Sequence, residues 1–159
     1  MIKNFLKILI LILILFLLFI GYFAYFGFTT SKFNLIIKDQ IKKQNSDLDI
    51  DLKKVKLHLD LKNISIKIKT KNPKIILNNS DNIELKEISS NILISSYLQN
   101  KFAAENLSIK SKNNEISSYI NFFRLTHNSL QLILLNKFVK SGMAQINVDL
   151  NFDDSGRVK

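Results

Sequence analysis

The chain has 159 residues, 47% of them hydrophobic, and a formal net charge of +10 from 23 Lys and Arg against 13 Asp and Glu. It contains no cysteine, which excludes a disulfide framework and a thiolate metal site. A basic excess is typical of contact with an anionic membrane surface or nucleic acid, or of a sheet with one solvated lysine-rich face. The lysines are spread along the chain and the only arginines are Arg124 and Arg157, so the solvated face is favoured.

The first element is an apolar segment, Ile8 to Phe28, with 21 consecutive residues that carry no charge. A helix of this length covers about 30 Å, the thickness of a bilayer's hydrocarbon core. Lys3 and Lys7 also suit a cleavable signal peptide, whose apolar core of about 7 to 15 residues ends at small residues. Here the core is longer and its end is aromatic, with Tyr22 and Tyr25, which favours an uncleaved signal anchor.

The charges that flank this segment favour opposite orientations in the membrane. Lys3 and Lys7 favour a cytoplasmic N-terminus, but Lys32, Lys38, Lys42 and Lys43 follow the segment closely. The short tail before the segment and the large portion after it favour the usual signal-anchor topology. We therefore expect residues 1–28 to form a cytoplasmic tail and transmembrane anchor, and residues 29–159 to form one extracytoplasmic domain.

The next element is an amphipathic helix over Lys32 to Gln44, after possible N-cap oxygens at Thr29 to Ser31. Its apolar stripe consists of Phe33, Ile36, Ile37 and Ile41, which recur at helical spacing. Such a helix can lie on a bilayer surface or cover a sheet. Covering a sheet is favoured because strands follow at once.

From Asp47 the apolar period changes from 3.6 to 2. Apolar and polar residues alternate over 47–52, 54–61 and 64–69, which indicates strands with one apolar and one solvated face. A slip in parity between Leu52 and Val55 predicts a bulge or tight turn. Turns are also predicted at Lys62-Asn63 and at residues 71–73, before a strand from Lys74 to Asn78 and another around Ile83 and Leu85.

The second half mixes helices and strands. The spacing predicts a short helix over Ser89 to Gln99, a strand from Ala104 to Ser111, one or two helical turns over 116–123, and a helix over 130–138 that stops at Gly142. A strand from Met143 to Phe152 and a hairpin turn at 153–156 follow. The predicted fold is therefore α+β: one transmembrane helix, an amphipathic helix, and a curved antiparallel meander with short covering helices.

The candidates for chemistry are few. His58 falls on the solvated side of a strand and His127 in a turn between helices, so neither has an evident catalytic partner. Asp47, Asp49 and Asp51, like the turn at 153–156, contain carboxylates without the loop and closing Glu of an EF-hand. We therefore expect no enzyme, no cofactor and no metal.

Several segments resemble the N-terminal region of AsmA-like bacterial envelope proteins, particularly the YhdP/TamB-like branch. They are the basic N-terminus with one span, the strands LDIDLKKVKLHLDL and NISIKIKTKNPKIIL, the run ISSNILISSYLQNKFAAENLSIKS, and GMAQINVDLNFDDSGRV. The resemblance covers nearly the whole chain. It implies a single-pass protein of the bacterial inner membrane whose bulk lies in the periplasm and begins a curved sheet with an apolar groove for phospholipid.

The resemblance implies a role in cell-envelope lipid transport or outer-membrane assembly, with membrane phospholipid as the ligand. By alternation, the residues facing such a groove are Leu48, Ile50, Leu52, Val55, Leu57, Leu59, Ile64, Ile66, Ile68, Ile75 and Leu77. Family members are much longer, so we expect a fragment that continues beyond Lys159 or a short relative that needs partners.

A second hypothesis is a non-enzymatic scaffold or accessory subunit of an envelope secretion or assembly complex. In this alternative the apolar face is closed core, and the strand Met143 to Phe152 pairs with a protein partner. No nucleic-acid partner is expected.

Overall fold

A computed structural model describes residues 2–78, 81–127, 129–139 and 141–159, with the side chains of Ile2 and Asn136 excepted. The elements follow one another in this order: α1 (Ile2–Tyr25), β1 (Phe28–Thr30), α2 (Asn34–Gln44), β2 (Leu48–Asp51), β3 (Val55–Asp60), β4 (Ser65–Lys71), β5 (Lys74–Leu77), β6 (Asp81–Leu93), α3 (Ile94–Leu98), β7 (Ala104–Ser111), β8 (Asn114–Glu115), α4 (Ile116–Thr126), α5 (Leu130–Phe138), β9 (Met143–Ala144) and β10 (Asn147–Asn151). The α+β fold with an N-terminal apolar helix and an antiparallel meander is confirmed.

Helix α1 is long and apolar enough to cross a membrane from Lys3 to Tyr25, and its apolar window has no buried residue. The helix ends before the predicted Phe28 because Gly27 takes a left-handed backbone conformation with φ +70°. A Cβ at this position would lie 2.5 Å from the carbonyl oxygen of Leu57, so only glycine fits without a shift. This turn sends the chain directly into β1, which pairs with β3.

Eight strands form one antiparallel sheet, and β8 pairs separately with β9. Strands β2 and β3 lie in line, as do β4 and β5, and the two pairs keep one register: Leu48 faces Leu77 and Val55 faces Thr70. The 13-residue β6 pairs with β5 through its first part and with β4 through its second. β7 and then β10 extend the sheet beyond the other edge of β6.

The chain is interrupted at the same level of the sheet between β2 and β3 and between β4 and β5. Lys53, between β2 and β3, has φ +56°, and Asn72, between β4 and β5, has φ +51°. The parity slip after Leu52 therefore coincides with a break between β2 and β3, but not with a bulge, because the register against β5 and β4 is the same on both sides of the break. The turn predicted at 71–73 is wrong, because Asn72 donates its N–H to the carbonyl of Lys86 at 3.0 Å and the chain continues along β6 without reversing.

The hydrophobic core lies at one end of this sheet. Leu48, Leu77, Ile83 and Leu85 pack there with Tyr119 of α4, and all five are buried. The Tyr119 hydroxyl lies 2.6 Å from the Ser111 hydroxyl and 2.9 Å from Asn114 Nδ2, which donates to it. These hydrogen bonds satisfy polar atoms of α4, β7 and β8 that burial removes from water.

Three further predictions in the second half need correction. The helix expected over Ser89 to Gln99 is limited to α3, since residues up to Leu93 belong to β6, whose two edges are paired with β4 and β7. Helix α5 ends at Phe138, before Gly142, which instead lies against the Ile116 side chain. The strand expected over Met143 to Phe152 is divided, because β9 pairs with β8 and β10 pairs with β7.

Candidate functional site

The pairing register separates apolar and charged side chains onto the two faces of the sheet formed by β3, β4 and β6. Leu57 faces Ile68 across β3 and β4, and Ile66 faces Ile92 across β4 and β6. On the alternate positions, His58 faces Lys67 and Lys67 faces Asn91. Since side chains alternate along a strand, one face is apolar over several strands and the other is polar.

The apolar face borders an open cavity of about 620 Å³. Its wall carries no charged side chain, and Tyr97 is the one member with a polar atom in its side chain. The lining residues are Phe33, Ile36, Ile37, Val55, Leu57, Ile66, Ile68, Ile92, Ile94 and Tyr97. Ligand pockets commonly have volumes of about 300 to 1,000 Å³ and mostly apolar walls. The cavity therefore has the size and chemistry of a site for an apolar ligand.

One wall of the cavity comes from the start of α2 and the turn before it. Phe33 is 46% exposed and Ile36 is 59% exposed, although both border the cavity. Helix α2 contains no buried residue. The side chains of this wall therefore remain accessible from solvent, unlike those of the core.

The later part of α2 is held more firmly to β2. Lys38 Nζ lies 2.9 Å and Lys42 Nζ 3.4 Å from Asp49 Oδ2, and Ile41 packs against the core. Burial raises the pKa of Asp49, but the hydrogen bonds from Lys38 and from the Ile50 backbone outweigh it and hold the pKa below its usual value. Asp49 is thus a charged attachment point for the helix that borders the cavity.

Ion pairs lie on the opposite, polar face. Lys67 Nζ is 2.7 Å from Asp60 Oδ2, and Lys69 Nζ is 2.6 Å from Glu87 Oε2. The hydrogen bond from Lys67, with those from the backbone of Asn63 and Lys62, lowers the pKa of Asp60 to about 2 despite opposing desolvation. Charge is therefore concentrated on the side of the sheet away from the cavity.

The predicted groove residues fall into four sets, and Leu48 belongs to two of them. Val55, Leu57, Ile66 and Ile68 line the large cavity, and Leu59 faces Ile66 on the same side of the sheet. Ile50 and Ile75 border a second cavity of about 390 Å³ between α2, β2 and α4, together with Leu48. Leu48, Leu52 and Leu77 are buried, and Ile64 lies in the turn before β4 with φ +46° and a side chain that is 63% exposed.

The prediction omitted six members of the cavity wall. Phe33, Ile36 and Ile37 were expected only in a covering helix, and Ile92, Ile94 and Tyr97 were expected in a helix of their own. Ile88, Ser90 and Ile92 are spaced two residues apart and lie on the same side of β6 as the cavity. The strand spacing of the two isoleucines was a usable signal for β6. The contribution of α2 and Tyr97 depends on how distant segments pack, which no local pattern specifies.

Chemistry other than apolar binding has little support among the described residues. Within 2–78, 81–127, 129–139 and 141–159, no group of three or more His, Asp or Glu side chains is placed to hold a metal ion. His58 lies on the polar face of β3, opposite Lys67. The residues that converge most clearly are the apolar ones of the cavity.

Comparisons of the chain with protein-family models, curated proteins and solved structures gave no match. The fold and cavity define the chain as an α+β protein with one candidate membrane-spanning helix and an open apolar site. The AsmA-like resemblance stays a prediction.

Proposed function

We propose that this chain is a membrane-anchored domain that binds a phospholipid acyl chain in its apolar cavity and acts in cell-envelope lipid transport or outer-membrane assembly. The observation that carries the proposal is the open cavity of about 620 Å³ whose lining lacks any charged side chain. A water-soluble ligand with charges along its length would lose its hydration in this cavity without gaining polar partners. A hydrocarbon chain would gain about 0.8 kcal/mol for each methylene that it buries.

The position of the cavity relative to α1 supports a lipid rather than a soluble apolar ligand. Phe28, the first residue of β1, lies three residues after the last residue of α1. It faces Leu57, which lines the cavity. The apolar site therefore borders β3, which pairs with the strand that directly follows the candidate membrane span. A lipid that leaves the bilayer beside α1 would have a short path to the cavity.

The compartment belongs to the same proposal. The charge at Lys3 and Lys7 and the large portion after α1 support a cytoplasmic N-terminus with the sheet in the periplasm of a bacterial inner-membrane protein. In this arrangement the cavity would be reached from the periplasmic leaflet.

Site-specific photo-crosslinking tests lipid binding directly. A photoreactive phenylalanine analogue is placed at Leu57 or Ile66 in the full chain, and matched controls carry it at Lys67 or Asn91 on the opposite face. After irradiation in membranes, mass spectrometry should find phospholipid adducts at Leu57 and Ile66 and few at Lys67 and Asn91. Equal lipid adducts on both faces, or protein adducts alone at Leu57 and Ile66, would contradict the proposal.

The scaffold role is a second candidate, supported by a free strand edge. β10 pairs with β7, and no other described strand covers its outer edge. The Asn151 carbonyl accepts from Lys159 N–H at 2.9 Å, so Asn151 points away from β7, as does Asp149 two residues earlier. A single stoichiometric protein that co-purifies without phospholipid, and is lost in Asp149→Pro, would favour the scaffold role.

A further inference from the structure

Five lysines lie together on the polar side of the sheet, away from the apolar cavity. They border a depression of about 500 Å³ and consist of Lys53, Lys54, Lys56, Lys69 and Lys71. We call this surface the lysine patch. Lys53 and Lys54 belong to the break between β2 and β3, Lys56 to β3, and Lys69 and Lys71 to β4. Two consecutive strands and the segment before them thus contribute to one basic surface.

Most of the positive charge of the lysine patch is not neutralised by the protein. Lys69 pairs with Glu87 at 2.6 Å, and Asp51 accepts a hydrogen bond from the backbone N–H of Lys53 at 3.2 Å. The ammonium groups of Lys53, Lys54, Lys56 and Lys71 form no ion pair within the part of the chain that the structure describes. These four side chains are exposed. Like charges held this close together repel each other, so an anionic partner would stabilise the arrangement.

The lysine patch begins at the end of the candidate membrane span. Gly27 is two residues beyond α1, and a Cβ built on it would lie 2.9 Å from Lys56 Cε. Helix α1 also contacts β3, and Thr29 faces Lys56 in the register of β1 and β3. With α1 in a bilayer, the Lys56 side chain is therefore held beside the level where α1 leaves the hydrocarbon.

We propose that the lysine patch binds the anionic headgroups of the bilayer in which α1 is anchored. The attraction of lysines to anionic lipid falls off within a Debye length, about 8 Å at physiological salt, so a basic surface must be held close to the membrane to be effective. Lys56 meets that requirement because its side chain lies against Gly27, two residues beyond α1. Headgroup binding would fix which side of the sheet turns toward the membrane. It does not depend on lipid binding in the apolar cavity, which opens on the other face.

Lysine acylation in nanodiscs tests the proposal on the full chain. The protein is reconstituted in phosphatidylcholine alone and in phosphatidylcholine with phosphatidylglycerol, and a water-soluble amine-acylating reagent is added briefly. Mass spectrometry then gives the rate at each lysine. We expect acylation of Lys54, Lys56 and Lys71 to be about fivefold slower with phosphatidylglycerol. Lys62, Lys110 and Lys137 should be unaffected, and 1 M salt should remove the difference.

Matched charge variants separate local binding from net charge. Lys53→Gln, Lys56→Gln and Lys71→Gln are combined in one variant, and Lys62→Gln, Lys110→Gln and Lys137→Gln in another with the same change in net charge. Lys54 remains in both and reports the result. Its protection by phosphatidylglycerol should disappear in the first variant and persist in the second.

Two results would overturn the proposal. Lys54 would be acylated at the same rate in both kinds of nanodisc, or would keep its protection by phosphatidylglycerol in the first variant. Protection by an added oligonucleotide in phosphatidylcholine nanodiscs, without protection by phosphatidylglycerol, would assign the patch to nucleic acid and would also overturn it.

Discussion

At the scale of single residues, the clearest electrostatic feature is Glu84 in β6. Lys74 Nζ lies 2.7 Å from one carboxylate oxygen of Glu84, and Lys112 Nζ lies 3.0 Å from the other. The hydrogen bond from Lys74, followed by that from Lys112, lowers the pKa of Glu84 from 4.5 to about 2. Glu84 thus connects β5 with the turn after β7, two segments that are separated in sequence.

This pair of contacts predicts how stability depends on pH. A folded-state pKa below the unfolded value means that the contribution is complete above about pH 4.5 and is lost as pH falls toward 2. We expect the unfolding free energy of the wild type, measured with urea in detergent micelles, to decrease through this range. In Glu84→Gln this part of the decrease should be absent.

An NMR titration of the Glu84 carboxyl provides the matched control. Lys74→Gln or Lys112→Gln should each raise the pKa of Glu84 toward its ordinary value, whereas Lys62→Gln should leave it unchanged. A pKa of Glu84 that stays near 2 after both substitutions would contradict the assigned cause.

At the scale of elements, α2 has two differently held parts. Phe33 and Ile36 at its start border the cavity and remain exposed, whereas Ile41 near its end packs against the core. Lys38, between these parts, and Lys42, directly after Ile41, pair with the mostly buried Asp49. We infer that the ion pairs, more than apolar burial, keep α2 over the sheet, because the helix has no buried residue of its own.

Removing the charge of Asp49 should therefore loosen α2. For Asp49→Asn we expect amide hydrogen exchange in α2 to become about fivefold faster, equivalent to about 1 kcal/mol, with little change in β4 or β6. Asp39→Asn is the matched control, since Asp39 lies on the same helix and forms no ion pair within the described residues. Equal exchange in α2 for both variants would show that the Asp49 pairs do not hold the helix.

At the scale of the whole molecule, one sheet carries two kinds of apolar surface. The surface around Leu48, Leu77 and Ile83 is closed by α4 through Tyr119. The surface around Leu57 and Ile66 borders the open cavity. The change from one to the other falls at the level of the strand breaks at Lys53 and Asn72, both of which have positive φ.

This division predicts unequal costs for the same substitution. Ile83 is 2% exposed, so Ile83→Ala should lower the unfolding free energy by about 3 kcal/mol, through lost burial and a new void. Ile66 is only partly buried beside the cavity, so Ile66→Ala should cost about 1 kcal/mol. Urea unfolding of the full chain in detergent checks both values. Equal losses would mean that the cavity surface is packed as firmly as the core.

Much of the architecture could be predicted from local sequence patterns. The uncharged segment after Lys7 predicted α1, and the alternation around Leu57 and Ile66 predicted strands with one apolar face. These predictions succeed because helix and strand periods of 3.6 and 2 place side chains on defined faces. The helix expected from Ser89 failed because pairing of β6 with β4 and β7 outweighed a weak local spacing.

The sequence by itself determined the apolar span, the two-faced strands and the break in alternation after Leu52, since each depends on neighbours within a few residues. Only the tertiary structure decided which apolar residues are core and which border a cavity. Leu77 and Ile68 occupy alternating apolar positions in the same sequence stretch, yet Leu77 packs under Tyr119 and Ile68 lines the open site. That difference arises from where α2 and α4 pack, which depends on contacts between segments far apart in the chain.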